Sequence, residues 1–170
     1  MKIESSSFEL LFLFSLSRKR NYQYLSIMKI LIINGPNLNL LGKRQPEIYG
    51  SVTFDQYFAD LQFLFKEIEL ASYQSNVEGE LINRLHEAQE EDYDGIVLNP
   101  GAYTHTSLAL ADAVSSIETP VVEIHISNVM DREQIRHISY ISKNAAGVVS
   151  GFGLDGYKLA IQSFVNLRNQ

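Results

Sequence analysis

Short aliphatic runs, set apart by amphipathic stretches, constrain this chain more than any other feature. Lys29–Ile33 has the length and content of a strand covered on both faces, and Gly95–Leu98, Val121–Ile126 and Gly147–Ser150 read as further strands. Between them the apolar period changes from continuous to helical. Phe54, Tyr57, Phe58, Leu61, Leu64, Phe65 and Ile68 recur at i, i+3, i+4, behind a capping-box spacing at Thr53–Gln56. A polar stretch at Ser72–Asn76 fits a weak strand near a sheet edge. A second capping-box spacing at Ser75–Glu78 then opens a helix that buries Leu81, Ile82, Leu85 and Ala88. Thr104 or Thr106 can cap a third helix with Leu110, Ala113, Val114 and Ile117 on its apolar side. The last, Leu154 to Leu167, buries Tyr157, Ala160, Ile161, Phe164 and Val165. Five strands alternating with helices imply an α/β fold, a parallel sheet joined by right-handed crossovers with helices on both faces.

Composition narrows the function. At 170 residues the chain suffices for one domain with a sizeable core. With no cysteine, disulfides and thiolate chemistry are excluded, and a reducing compartment such as the cytoplasm is permitted. A net charge of -6 without a basic stripe argues against nucleic-acid binding, so a small anion would need a local cationic pocket. Residues 1–27 fit the rest poorly. Their apolar run Leu10–Leu16 is too short to span a bilayer. Arg18, Lys19 and Arg20 follow it, where a signal peptide would carry its cations first. We expect this segment to lie outside the fold, with a single catalytic domain over 28–170 and no membrane association.

Polar residues gather where strands end, and ligands of open α/β sheets sit beyond the carboxyl ends of the strands. The connection from Asn34 to Tyr49 is several times the usual length of about 2–6 residues. It carries Asn37, Lys43, Arg44 and Tyr49, which suits a functional lid. Asn99 ends another strand. On Val121–Ile126, Glu123 and His125 share a face with Ser127, because side chains alternate along a strand. A carboxylate beside an imidazole fixes its tautomer and favours its protonated form, as a general acid requires. A hydrogen-bonded rim pair, or a metal site that adds His105, are the alternatives on spacing alone. Arg132 and Arg136, four apart, could clamp an anion or vicinal hydroxyls if Asp131–Arg136 is helical; otherwise they are solvated cations. A tyrosine at position 49 titrates near 10, and lowering it to about 7 takes roughly 4 kcal/mol, about what one cation at ~4 Å supplies.

Four blocks in order resemble the type II 3-dehydroquinate dehydratases. They are Ile33–Leu38 continuing to Tyr49-Gly50, Gln74–Asn76 with Glu78–Leu81, Leu98–Ser107, and Glu123–Asn128 with Arg132. The resemblance implies a flavodoxin-like three-layer sandwich with strand order 2-1-3-4-5, a homododecamer of four trimers, and dehydration of 3-dehydroquinate without metal or organic cofactor. It further implies Tyr49 as base, Arg44 as the cation that lowers its pKa, and Asn37 as stabiliser of an enolate through water. His125, oriented by Glu123, becomes the acid. Asn99, Ile126 and Ser127 become carboxylate and hydroxyl contacts, His105 and Arg136 further hydroxyl contacts, and Asp112 a residue reaching a neighbouring subunit's site. Two positions depart from the family pattern. Ile138 stands where a histidine is usual, with His137 one earlier, and Val77 replaces a frequent histidine. The rival from another class is a flavodoxin-like flavin or phosphate module, against which the first loop lacks a glycine-rich cradle.

Overall fold

The computed structural model describes residues 27–42 and 52–168. Five parallel strands form one sheet: β1 (Met28–Asn34), β2 (Ile68–Gln74), β3 (Gly95–Asn99), β4 (Val121–His125) and β5 (Gly147–Ser150). They lie in the order β2-β1-β3-β4-β5. Among the described residues, four helices cover the faces: α1 (Phe54–Leu64), α2 (Glu78–Glu90), α3 (Leu108–Ser116) and α4 (Asp155–Arg168). This is the flavodoxin-like arrangement that the sequence implied.

Strand alternation sorts the core into two layers. Ile30, Ile32, Val97, Val122 and Ile124 pack with Leu61 and Phe65 and with Tyr157, Ile161 and Phe164 of α4. Leu31, Ile33, Ile96, Leu98 and Val121 pack with Leu81 and Leu85 of α2 and Leu110 and Val114 of α3. The same parity carries the polar residues that end the strands. Asn34 and Asn99, paired in register, share the side of Ile32 and Val97 and so reach α4. Glu123 shares the side of Val121 and faces the α3 layer.

Local chemistry departs from the expectations in three places. The Thr53 capping box is present, with Thr53 Oγ1 accepting from the Gln56 amide and Gln56 Oε1 accepting from the Thr53 amide. However, α1 stops at Leu64 and Ile68 opens β2, in register with Met28. Ile68 continues the helical spacing of Leu61 and Leu64, so periodicity alone could not separate a further helical turn from the first residue of a strand. Strand β2 therefore starts before the expected Ser72, although it does lie at the sheet edge. Second, no capping box forms at Ser75. Its amide still extends the strand ladder to the Asn34 carbonyl and its hydroxyl donates to Glu80, so α2 begins only after Val77. Third, α3 is capped by Ser107, whose Oγ accepts from the Leu110 amide at 2.8 Å. Thr104 and Thr106 do not serve, because Thr104 lies within the tight 3-10 helix Gly101–His105 and the Thr106 hydroxyl donates back to the Ala102 carbonyl.

Phe164 of α4 lies flat over β3 at Gly95, where an added Cβ would sit 2.7–2.8 Å from three ring carbons. Gly95→Ala should lower stability by about 1–3 kcal/mol through overpacking. The check is a reduced denaturant midpoint at unchanged m value; an unchanged midpoint would show that the ring moves aside freely.

Candidate active site

A cavity of about 280 Å³ opens at the carboxyl ends of the strands. Its polar lining is Asn37, Asn99, His105, His125, Ser127, Arg132 and Arg136, and Leu38, Leu40, Leu41, Ile126 and Val129 supply apolar wall. Two loops meet at its floor. The Gly35 amide donates to the Asn99 carbonyl at 2.7 Å, and a Cβ on Gly35 would fall 2.6 Å from the Pro100 carbonyl oxygen. Only glycine admits that approach, and Asn37 and Asn99 both line the cavity beside it. Asn37 itself adopts a left-handed backbone, a conformation asparagine tolerates, and its amide donates to Asn76 Oδ1.

Behind the cavity lies the buried pair. Glu123 is fully buried, and its Oε1 accepts from His125 Nε2 at 2.7 Å. Thr104 Oγ1 also donates to Oε1, and Ser139 Oγ donates to Oε2 at 3.0 Å. Burial pushes the Glu123 carboxyl up, but the hydrogen bonds from His125, Thr104 and Ser139 outweigh it and hold the group below the usual carboxylate range. Because an ionised carboxylate only accepts, His125 carries its hydrogen on Nε2 and presents Nδ1 for other work. His105 is fixed in the complementary sense. Its Nδ1 donates to the Ile138 carbonyl at 2.7 Å, which leaves Nε2 free, and the two imidazoles stack 6.2 Å apart.

The cationic side of the cavity comes from two 3-10 turns, Val129–Asp131 and Gln134–His137, in place of the one helix expected over Asp131–Arg136. Both arginines still reach the cavity. Arg136 Nε donates to Glu133 Oε2 at 2.9 Å, and Arg132 donates to Ser127 Oγ at 3.4 Å. The Glu133 backbone amide, and then Arg136, hold the Glu133 carboxyl below its usual range.

Residues 28–165 match the family described as dehydroquinase class II. A Bacillus licheniformis 3-dehydroquinate dehydratase is 55% identical over 144 residues, covering 83% of this chain and 98% of that protein. One from Helicobacter hepaticus is 48% identical, covering 84% and 92% respectively. Among solved structures, the type II dehydroquinase of Propionibacterium acnes superposes with a TM-score of 0.78 at 37% identity, over 83% of this chain and 99% of that one. That of Butyrivibrio crossotus gives 0.77 at 46%, over 81% and 97%. The chain belongs to the class II dehydroquinase family.

In this dehydroquinase, the structure gathers Asn37, Asn99, His105, His125, Ile126, Ser127 and Arg136 around one cavity, with Glu123 directly behind His125. Asp112 stands apart, exposed on α3. Tyr49 and Arg44 lie outside the described residues, as does nearly all of the 1–27 segment. Among the described residues, no cluster of three or more His, Asp or Glu is arranged to hold a metal. The alternative set of His105, Glu123 and His125 does not converge, because protein donors occupy both Glu123 oxygens. The departure at Ile138 is harmless to His105, since the contact uses its backbone carbonyl while the side chain is exposed. Sequence reasoning missed Ser139 altogether, and read Thr104 as a cap and Tyr157 as core. Hydroxyls that meet Glu123 from 16 or 19 residues away leave no spacing signal. Arg132 was read as part of a clamp without an assigned contact, and the cavity now supplies its place.

A carboxyl held low in the folded state stabilises the fold above its ordinary value, and that contribution is lost as pH falls from about 4.5 through the lowered value. Glu123→Gln should cost about 1–3 kcal/mol at neutral pH. The gap from wild type should narrow as pH drops through that window, measured by denaturant melts at several pH values. A gap independent of pH would mean that Glu123 is not held ionised.

Proposed function

We propose that this protein is a type II 3-dehydroquinate dehydratase, removing water from 3-dehydroquinate to give 3-dehydroshikimate in the shikimate pathway. Family membership sets the reaction class. The observation that carries the proposal to this chain is the buried Glu123–His125 pair at the back of a cavity rimmed by amides and arginines.

The elimination needs a base for the proton next to the ketone, an electrostatic partner for the enolate oxygen, and an acid for the departing hydroxyl. Tyr49, with its pKa lowered by Arg44, is our base. Loss of the proton sends its electron pair into the enolate, stabilised through a water held by Asn37. Collapse of the enolate forms the new carbon–carbon double bond and expels the hydroxyl, which leaves as water after taking a proton from His125. Glu123 would orient that ring and hold its Nε2 hydrogen, so the proton offered is the one on Nδ1. Asn99 with Ile126 and Ser127 would receive the substrate carboxylate and a hydroxyl, and His105 and Arg136 further hydroxyls. Each step is heterolytic and conserves electrons, so no redox cofactor is called for. We further propose a homododecamer of four trimers, in which Asp112 on the outer side of α3 reaches a neighbouring subunit's site. The catalytic domain would span 28–170, with 1–27 outside it. Among the described residues no helix is long and apolar enough to cross a membrane, and we assign the reaction to the cytoplasm.

Addition of 3-dehydroquinate should raise the ultraviolet band of a conjugated enone, and borohydride added with substrate should leave the rate intact because no Schiff base forms. Absence of the band from folded, assembled protein would refute the reaction. Tyr49→Phe should abolish turnover with the fold retained, a loss on the order of 100-fold or more for a missing general base; retained turnover would remove Tyr49 from that role.

A further inference from the structure

Tyr157 is fully buried, yet its phenol joins two asparagines at the floor of the cavity. Asn99 Nδ2 lies 3.0 Å from the Tyr157 hydroxyl, and that hydroxyl lies 2.7 Å from Asn34 Oδ1. Asn34 ends β1, Asn99 ends β3, and Tyr157 projects from the first turn of α4, so three elements are tied through one oxygen. Burial pushes the phenol well above its ordinary value, and it keeps its single hydrogen at any working pH.

The direction of every hydrogen in this relay follows from one backbone group. The Gly101 amide can only donate, and it meets Asn99 Oδ1 at 3.3 Å. That fixes the carboxamide of Asn99 with its nitrogen toward Tyr157. The phenol must therefore accept from Asn99, and its own hydrogen goes to Asn34 Oδ1. Turning either amide over would set donor against donor. Nδ2 of Asn99 has two hydrogens, and the relay uses one. The second remains for the cavity that Asn99 lines. Asn34 Nδ2, at the far end, has no hydrogen-bond partner among the described residues, so the stabilisation of this group is concentrated on the phenol side.

We propose that Tyr157 is a positioning residue for substrate binding: with Asn34 behind it, its hydroxyl joins the Gly101 amide in holding the Asn99 carboxamide so that an N–H, rather than a carbonyl oxygen, faces the substrate's anionic oxygen. Packing supplies the complementary constraint. The Tyr157 ring is held by Phe54 at 5.3 Å and Tyr57 at 6.3 Å between ring centroids, so the phenol oxygen stays in place without help from the amides. This proposal rests on the dehydratase reading and deepens it.

Tyr157→Phe keeps the ring contacts and deletes only the oxygen. With 3-dehydroquinate as probe, KM should rise about tenfold, the worth of one well-placed hydrogen bond, with kcat changed much less. A structural role would lower thermal stability without that split, so a second background is needed. In Asn99→Ala the same Tyr157→Phe change should alter kcat/KM by less than about twofold, because the group being positioned is gone. Asn34→Leu, which removes the acceptor at the other end of the relay, should raise KM in the same direction and takes the place of Tyr157→Phe if that variant does not fold. A KM within twofold of wild type, or an equal effect in both backgrounds, would overturn the relay while an active wild type left the dehydratase reading standing. A wild type that produces no enone would refute the reaction itself.

Discussion

A carboxylate withdrawn from water costs on the order of several kcal/mol unless donors surround it, and Glu123 is surrounded. Its donors come from three separate pieces of chain: His125 two residues on, Thr104 in the 3-10 helix after β3, and Ser139 beyond the arginine turns. Satisfying one buried charge thereby fixes the β3–α3 loop and the 129–139 segment against the end of β4. The backbone reinforces it, since the Tyr140 amide donates to the Thr104 carbonyl and the Ser139 hydroxyl accepts from the amides of Ile141 and Ser142. The cavity wall that holds His105, Arg132 and Arg136 is arranged around this charge.

The sheet divides the work between its two faces. On the α3 side, alternation sends Glu123 into a polar nest that sets the proton of His125. On the α4 side, the same alternation sends Asn34 and Asn99 to Tyr157, which with the Gly101 amide holds the Asn99 carboxamide in one orientation. Both networks lie below the cavity floor and expose an oriented group upward. Preorganisation of that kind lets a site act on a small polar substrate without rearranging when charge develops. It also explains how an acidic chain can receive an anion: the local field comes from Arg132, Arg136 and oriented N–H groups, irrespective of net charge.

Much of this was legible before the structure. Continuous aliphatic runs marked β1, β3 and β4 because a strand covered on both faces has no room for a polar side, and strand ends located Asn37, Asn99 and the Glu123–His125 pair. Edge strand β2 was blurred, since its polar alternation weakens the signal and Ile68 continues the helical period of α1. Caps were misplaced wherever a serine or threonine had another partner available: Ser75 went to Glu80 and Thr104 to Glu123. Tyr157 was recognised as core and is core, but its ring hid the use of its oxygen. Contacts made across 58 and 123 residues have no local signature. Tyr49 and Arg44 rest on the family resemblance alone.

The central claim is that a buried, ionised Glu123 dictates the tautomer of His125. Two-bond proton–nitrogen correlation spectra of isotope-labelled protein read this directly. The neutral ring of His125 should carry its hydrogen on Nε2, with Nδ1 as the unprotonated nitrogen facing the cavity. Glu123→Gln should release that preference. A wild-type ring protonated on Nδ1, or one whose tautomer is indifferent to Glu123, would contradict it.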